Sequence, residues 1–258
     1  RYLSGFSGSA GCILLTRRET RFFTDFRYQE QSRQQIGDVM PITIYKVSQF
    51  EAIQEYLTRH KNLTIGIEGS LTVESFDQLV TGKKAKYKLV KGVVEMVRRQ
   101  KGASEVEHLR RAFAIADRAF AKLLPYIKPG RTEIEIAARL EFLMRELGSD
   151  GPSFDTIIAA GERAACPHAQ PTDRTVKTGE MVKIDFGAIS GGYHSDMTRT
   201  VFLGKATPKF REVYGTVLTA QQKAIKGLKP GAECKKVDAL ARDHIKKAGY
   251  GEAFGHGL

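Results

Sequence analysis

No apolar run in this sequence approaches the roughly 18–20 residues that a membrane-crossing helix needs, so no membrane-spanning helix is expected within it. Cysteine is scarce. Cys12, Cys166 and Cys234 stand alone, with no C-x-x-C among them. An odd, scattered set argues against a disulfide framework and for a reducing compartment, read as the cytoplasm. Cys166 lies two residues from His168, but nothing around it marks a stabilised thiolate, and it reads as an unpaired thiol. Acidic residues are outnumbered, 29 against 41 Lys and Arg, for a net charge of +12. Part of the excess is one cluster: Lys83, Lys84, Lys86, Lys88, Lys91, Arg98, Arg99 and Lys101. No aromatic platform or nucleic-acid reader motif accompanies it, so it reads as solvated surface and linker, and no nucleic-acid partner is expected.

What is present is a globular chain of 258 residues, 41% hydrophobic and 27% charged, a length that suits two domains. Residues 1–98 alternate short strands and helices. Cys12 to Thr16 and Arg21 to Thr24 predict strands around a turn at Arg18-Glu19-Thr20. Ile42 to Val47 and Leu63 to Ile67 predict two more, with an amphipathic helix from Ser48 to Thr58 between them. That rhythm implies an α/β domain. Gly5, Gly8 and Gly11, three apart, read as turn glycines. Residues 99–103 form the expected linker, within a basic stretch near 91–103. A second domain, 104–258, opens with a helix that Ser104 and Glu107 are expected to cap. Its core stripe is expected at Val106, Leu109, Phe113, Ala116, Phe120 and Leu123. Further helices start at Thr132 (with Glu135), at Thr207-Pro208 and near Glu233.

Two tripeptides, Lys128-Pro129-Gly130 and Lys229-Pro230-Gly231, each follow a long helix and precede a shorter one. The shorter helices stop at Gly148 and Gly249. Every matched boundary is 101 residues from its partner, which reads as a duplication of one supersecondary unit.

Between the two units lie Asp185 in Ile184-Asp185-Phe186-Gly187-Ala188 and Asp196 in Ser195-Asp196-Met197-Thr198-Arg199-Thr200. Their flanks, Met181 to Ala188 and Asp196 to Leu203, predict two strands joined by a tight turn in Ser190-Gly191-Gly192. A Ser190-Gly191 loop sets the two aspartates directly opposite each other, whereas a Gly191-Gly192 loop makes them diagonal neighbours. In either register two carboxylates share one patch of sheet, which is unfavourable unless a cation or a shared proton stands between them.

Taken in order, Pro152-Ser153-Phe154-Asp155-Thr156-Ile157-Ile158, Pro167-His168, Asp185-Phe186-Gly187 and Ser195-Asp196-Met197-Thr198-Arg199-Thr200 resemble the aminopeptidase P and prolidase family of proline-specific, pita-bread-fold metallopeptidases. The opening Tyr2-Leu3-Ser4-Gly5-Phe6-Ser7-Gly8-Ser9-Ala10-Gly11 is similar to the creatinase-like N-terminal domain of the same enzymes. The resemblance covers essentially the whole chain. It implies an α/β creatinase-like domain followed by an α+β pita-bread catalytic domain with a pseudo-twofold repeat, and a homodimer is compatible with it.

The resemblance further implies two divalent ions, Mn²⁺ foremost with Co²⁺ or Zn²⁺ as alternatives, with Asp185 and Asp196 among their ligands. His168 matches the family histidine that contacts substrate or stabilises the tetrahedral intermediate. Phe154 matches an aromatic residue lining the pocket. His256 matches the substrate-side histidine, the metal histidine then falling at position 260; in the alternative alignment His256 is itself the ligand. The implied activity is an Xaa-Pro aminopeptidase acting on proline-containing peptides. The alternatives are an Xaa-Pro dipeptidase (prolidase) and a non-catalytic pita-bread binding protein. The sequence starts at Arg1 and stops within Phe254-Gly255-His256-Gly257-Leu258. It therefore reads as part of a longer protein, and in isolation it is expected to be inactive or nearly so.

Overall fold

The computed structural model describes residues 1–17, 19–59, 63–81 and 85–258. Arg18 of the expected first turn, and Lys83 and Lys84 of the basic cluster, lie outside the described residues. The chain divides into two compact units, Arg1–Gln100 and Lys101–Leu258.

In the first unit, β1 (Cys12–Leu15) pairs antiparallel with β2 (Thr20–Asp25). Helix α1 (Gln29–Ile36) then returns the chain to β3 (Ile42–Tyr45), parallel to β2. Adjacent side chains in a strand point to opposite faces, and Phe22 and Phe23 use both. Phe22 packs with Phe6, Ile36 and Met40. Phe23 packs with Phe50, Ile53 and Leu57, on α2 (Gln49–Thr58). Ser48 caps α2 by accepting from the Phe50 N–H. A second, two-stranded parallel sheet joins β4 (Thr64–Glu68) to β5 (Lys86–Val90) through α3 (Val73–Val80), and α4 (Val93–Arg98) follows. Of the three spaced glycines only Gly5 has a positive φ, at 73°. Gly8 and Gly11 lie against aromatic rings instead: a Cβ would stand 2.3 Å from Phe6 and 2.5 Å from Phe22, respectively.

The helix that opens the second unit, α5 (Ala103–Leu123), is capped two residues before the expected box. Its cap is Gly102, whose N–H donates to the Glu105 carboxylate at 2.7 Å, and the Ser104–Glu107 pairing is corrected accordingly. Of the expected stripe, Ala116 and Leu123 are buried, Phe120 packs against the same core and Val106 and Leu109 are half-buried, while Phe113 is 41% exposed; Ala112, Ile115 and Ala119 are buried beside them. Alanines at 112, 116 and 119 bring α5 close to what it covers, and the expected pattern holds only the second of them. Helix α6 (Glu133–Glu146) has the expected Thr132–Glu135 capping box.

The two helices cover one face of a three-stranded antiparallel sheet. Its order is β10 (Met197–Phe202), β7 (Met181–Phe186), β6 (Ile157–Ala160). Alternate residues Val182, Ile184 and Phe186, with Ile158, Ala160 and Met197, fill the helix-covered face. Between β7 and β10 the hairpin continues into β8 (Ile189–Ser190) and β9 (Tyr193–His194).

Helices α7 (Pro208–Gly227) and α8 (Cys234–Lys247) complete the unit. The duplication holds at backbone level. Gly130 and Gly231 have φ of 89° and 81°, and Gly148 and Gly249 have φ of 94° and 88°. Helices α6 and α8 end in the same pair of hydrogen bonds, Gly148 N to Arg145 O with Ser149 N to Met144 O, and Gly249 N to Lys246 O with Tyr250 N to Ile245 O. This is a Schellman closure, in which a left-handed residue satisfies the last helical carbonyls.

Candidate metal centre

The hairpin turn is Gly191-Gly192, with φ of 57° and 83°. Two consecutive positive values suit the primed turns that match strand twist. The register follows: Ser190 pairs with Tyr193, and Asp185 pairs with Thr198. Direct opposition of the two aspartates, the first of the two registers read from the sequence, is thereby replaced by the diagonal one, since Asp196 lies two residues before Thr198. Diagonal neighbours of this kind are about 7–8 Å apart.

The two carboxylates have different surroundings. Asp185 Oδ1 accepts from the Thr198 hydroxyl at 2.8 Å. Asp196 accepts no hydrogen bond among the described residues, and its carboxyl is pushed above the usual aspartate range, first by burial and then by the charge of Asp185. A cation between the two would offset both costs, so the pair fits a hard or borderline divalent metal that takes oxygen ligands. Among the described residues no cluster of three or more His, Cys, Asp and Glu forms a metal site.

Buried serines hold the hairpin in shape. The ladder is interrupted at Gly187–Ala188, where the Ala188 N–H donates to Ser195 Oγ at 2.9 Å, and Ser195 Oγ also reaches Ala112 O on α5. A Cβ on Gly187 would stand 1.9 Å from Ser195 O and 2.8 Å from Ser153 Oγ, so only glycine fits there. The segment before β6 runs along the same edge: Ser153 N–H donates to Gly187 O at 2.9 Å and Ser153 Oγ to Ala188 O at 2.9 Å. Phe154, next in sequence, is half-buried.

His168 is exposed, at the apex of the loop between β6 and β7. That loop is braced by Glu133, which is fully buried and accepts from Ala160 N at 2.9 Å, Thr172 N at 3.0 Å, Thr172 Oγ1 at 2.7 Å and Arg163 Nε at 3.2 Å. His256 is also exposed, and Arg242 donates to its carbonyl at 2.9 Å. The structure thus brings Asp185 and Asp196 together on one hairpin, with Ser153 beside it and Phe154 following. Thr198, Lys183 and Glu133 were not singled out in the sequence. Thr198 sits inside the segment that drew attention to Asp196, and its signal was the register itself.

Cys12 is half-buried, and Cys166 and Cys234 are exposed; all three are free thiols. Among the described residues no helix is long and apolar enough to cross a membrane.

Residues 107–258 match the model of Metallopeptidase family M24, and residues 1–100 match that of the Creatinase/Prolidase N-terminal domain. A relative named Xaa-Pro dipeptidase, from Pyrococcus furiosus, is 36% identical over 261 residues, spanning 100% of this chain and 73% of its own length. Among solved structures, an Xaa-Pro dipeptidase from Bacillus anthracis matches with a TM-score of 0.95 and 38% identity, over 100% of this chain and 72% of that one. An X-Pro aminopeptidase from Thermotoga maritima MSB8 matches with a TM-score of 0.90 and 35% identity, over 97% and 72%.

Proposed function

The chain belongs to metallopeptidase family M24, with a creatinase/prolidase N-terminal domain ahead of the catalytic one, and from that premise we propose that the protein hydrolyses Xaa-Pro peptide bonds, with dipeptides as the favoured substrate. The observation that carries the choice is the name shared by two matches of 36–38% identity, each an Xaa-Pro dipeptidase. It moves the reading away from the aminopeptidase expected from the sequence. The aminopeptidase from Thermotoga maritima, at 35% identity, supports removal of a residue from longer peptides as the second reading.

In this proposal Asp185 and Asp196 hold divalent metal, two ions with Mn²⁺ foremost. When bound, such ions supply Lewis acidity toward the scissile carbonyl and lower the pKa of water. The chain's own residues do the rest. The Thr198 hydroxyl, donating to Asp185 Oδ1, fixes the carboxylate rotamer. His168 donates a hydrogen bond toward the oxygen on which charge develops, where a preorganised donor contributes most. Phe154 offers an apolar wall to the proline ring, and His256 contacts the substrate. A site shaped for proline has a distinct task, because that residue supplies no N–H and fixes φ near −65°.

The test is a comparison of kcat/KM on an Xaa-Pro dipeptide and the matching Xaa-Pro-Xaa tripeptide, using the protein at its full natural length with Mn²⁺. The dipeptide should be favoured by about tenfold or more, a discrimination of roughly 1.4 kcal/mol, within reach of a shaped pocket. A preference for the tripeptide establishes the aminopeptidase reading, and cleavage of neither removes both.

A further inference from the structure

We propose that Lys183 is a positioning residue, tying the loop that presents His168 to the strand that carries Asp185. The proposal rests on the reading of His168 as a hydrogen-bond donor at an Xaa-Pro site.

Lys183 stands two residues before Asp185 on β7, and a two-residue step returns to the same face of a strand. This is the face away from α5 and α6. From it the Lys183 ammonium donates to Cys166 O at 2.5 Å and to Pro167 O at 3.2 Å. These are the two carbonyls immediately before His168. Two charge-assisted hydrogen bonds from one rigid strand therefore fix the backbone from which the imidazole projects.

The flanks of the loop are held independently. Glu133 pins Ala160, Arg163 and Thr172, and Arg163 Nη2 donates to Gln170 O at 2.7 Å. Ala169 is buried with Ile157, Ala159 and Ala164. At the apex the anchoring changes. Pro167 has no N–H to donate, and the Cys166 N–H bonds locally to Arg163 O at 3.0 Å. Among the described residues, the polar tether from apex to sheet is Lys183. Its removal should leave the fold and the flanks intact while releasing the apex. That division of labour makes the idea testable by substitution.

The experiment uses the full-length protein with Mn²⁺ and an Xaa-Pro dipeptide, and the variants Lys183→Met, Lys183→Arg, His168→Ala and the double variant Lys183→Met/His168→Ala. Hydrogen–deuterium exchange of the 164–170 segment is followed in parallel. Lys183→Met should speed exchange of that segment with little change at 157–160. It should lower kcat by roughly tenfold or more with a smaller change in KM, the pattern of an interaction needed in the transition state. Lys183→Arg, which keeps donors and charge, should recover part of the loss. In the His168→Ala background Lys183→Met should cost little more, because residues that act through one another are not additive. The Mn²⁺-induced rise in Tm should persist in Lys183→Met.

Unchanged exchange at 164–170 overturns the tether. An equal loss with and without His168, or loss of the Mn²⁺ effect on Tm, overturns the positioning role and assigns Lys183 to the carboxylates beside it. A His168→Ala variant as active as the parent instead overturns the reading of His168, while the exchange data still decide whether Lys183 holds the loop.

Discussion

Gly187 shows how a single residue shapes the candidate centre. It sits between Phe186, whose ring stacks on Phe120 of α5 at 5.9 Å, and Ala188, whose N–H is taken by Ser195 Oγ. Any side chain there would run into Ser195 O, part of the backbone that sets Asp196. Gly187→Ala should therefore cost about 3 kcal/mol, because backbone and not a side-chain tip must move. Urea unfolding of the metal-free protein measures this, and a cost under 0.5 kcal/mol would show that the hairpin yields. The sequence marked Gly187 as part of a motif but gave no reason for it. The reason depends on register, and register depends on which two of three residues, Ser190, Gly191 and Gly192, make the turn.

Elements were legible where their signals are local. Thr132 with Glu135, Thr207 with Pro208, and the stops at Gly148 and Gly249 are each decided within a few residues, and each marks its boundary in the structure. The start of helix α5 is not legible in the same way, because its cap, Gly102, has no side chain to announce it. Helix α1, Gln-Glu-Gln-Ser-Arg-Gln-Gln-Ile, buries only Ser32 and Ile36, too few apolar positions to show a period. Strand β5, Lys-Tyr-Lys-Leu-Val, was hidden in the basic cluster, where alternation reads as charge. In the loop between β6 and β7 the sequence marks Pro167-His168 but not what braces them, because the anchors, Glu133 and Lys183, come from other elements.

At the exit from that loop an ion pair couples stability to pH. Arg174 grips Glu180, with Nη2 to Oε1 at 2.5 Å and Nη1 to Oε2 at 3.0 Å, and the Lys177 N–H adds 3.1 Å to Oε2. The Arg174 hydrogen bonds are the main reason the Glu180 carboxyl is held below its ordinary range; the Lys177 N–H and the nearby positive charges act in the same direction. A lowered folded-state pKa contributes stability that is present above the unfolded value, about 4.3, and is lost as pH falls through the folded value. The stability gap between the parent and Glu180→Gln should stay constant from pH 7 to about 5.5 and close below about 4.3, as read by urea titrations at each pH. A gap that widens on acidification would reverse the sign.

At the scale of the whole molecule, the duplication and the carboxylate pair were both readable without a structure. The repeat was visible as matched Lys-Pro-Gly and Gly boundaries, and the pair as two aspartates either side of a glycine turn. What the sequence left open was geometry: diagonal and not opposed, with one carboxylate hydrogen-bonded by Thr198 and the other without a donor among the described residues. That geometry is the physical basis for the central claim, that Asp185 and Asp196 together hold divalent metal. The most direct measurement is the shift in Tm on adding Mn²⁺ to the full-length protein, to Asp185→Asn and to Asp196→Asn. A ligand that binds the folded state raises Tm with concentration, about 2.7 kcal/mol of added stability at a hundred times Kd. The parent should show a clear, saturable rise and neither variant any. An equal rise in all three, or none in the parent, would contradict the claim.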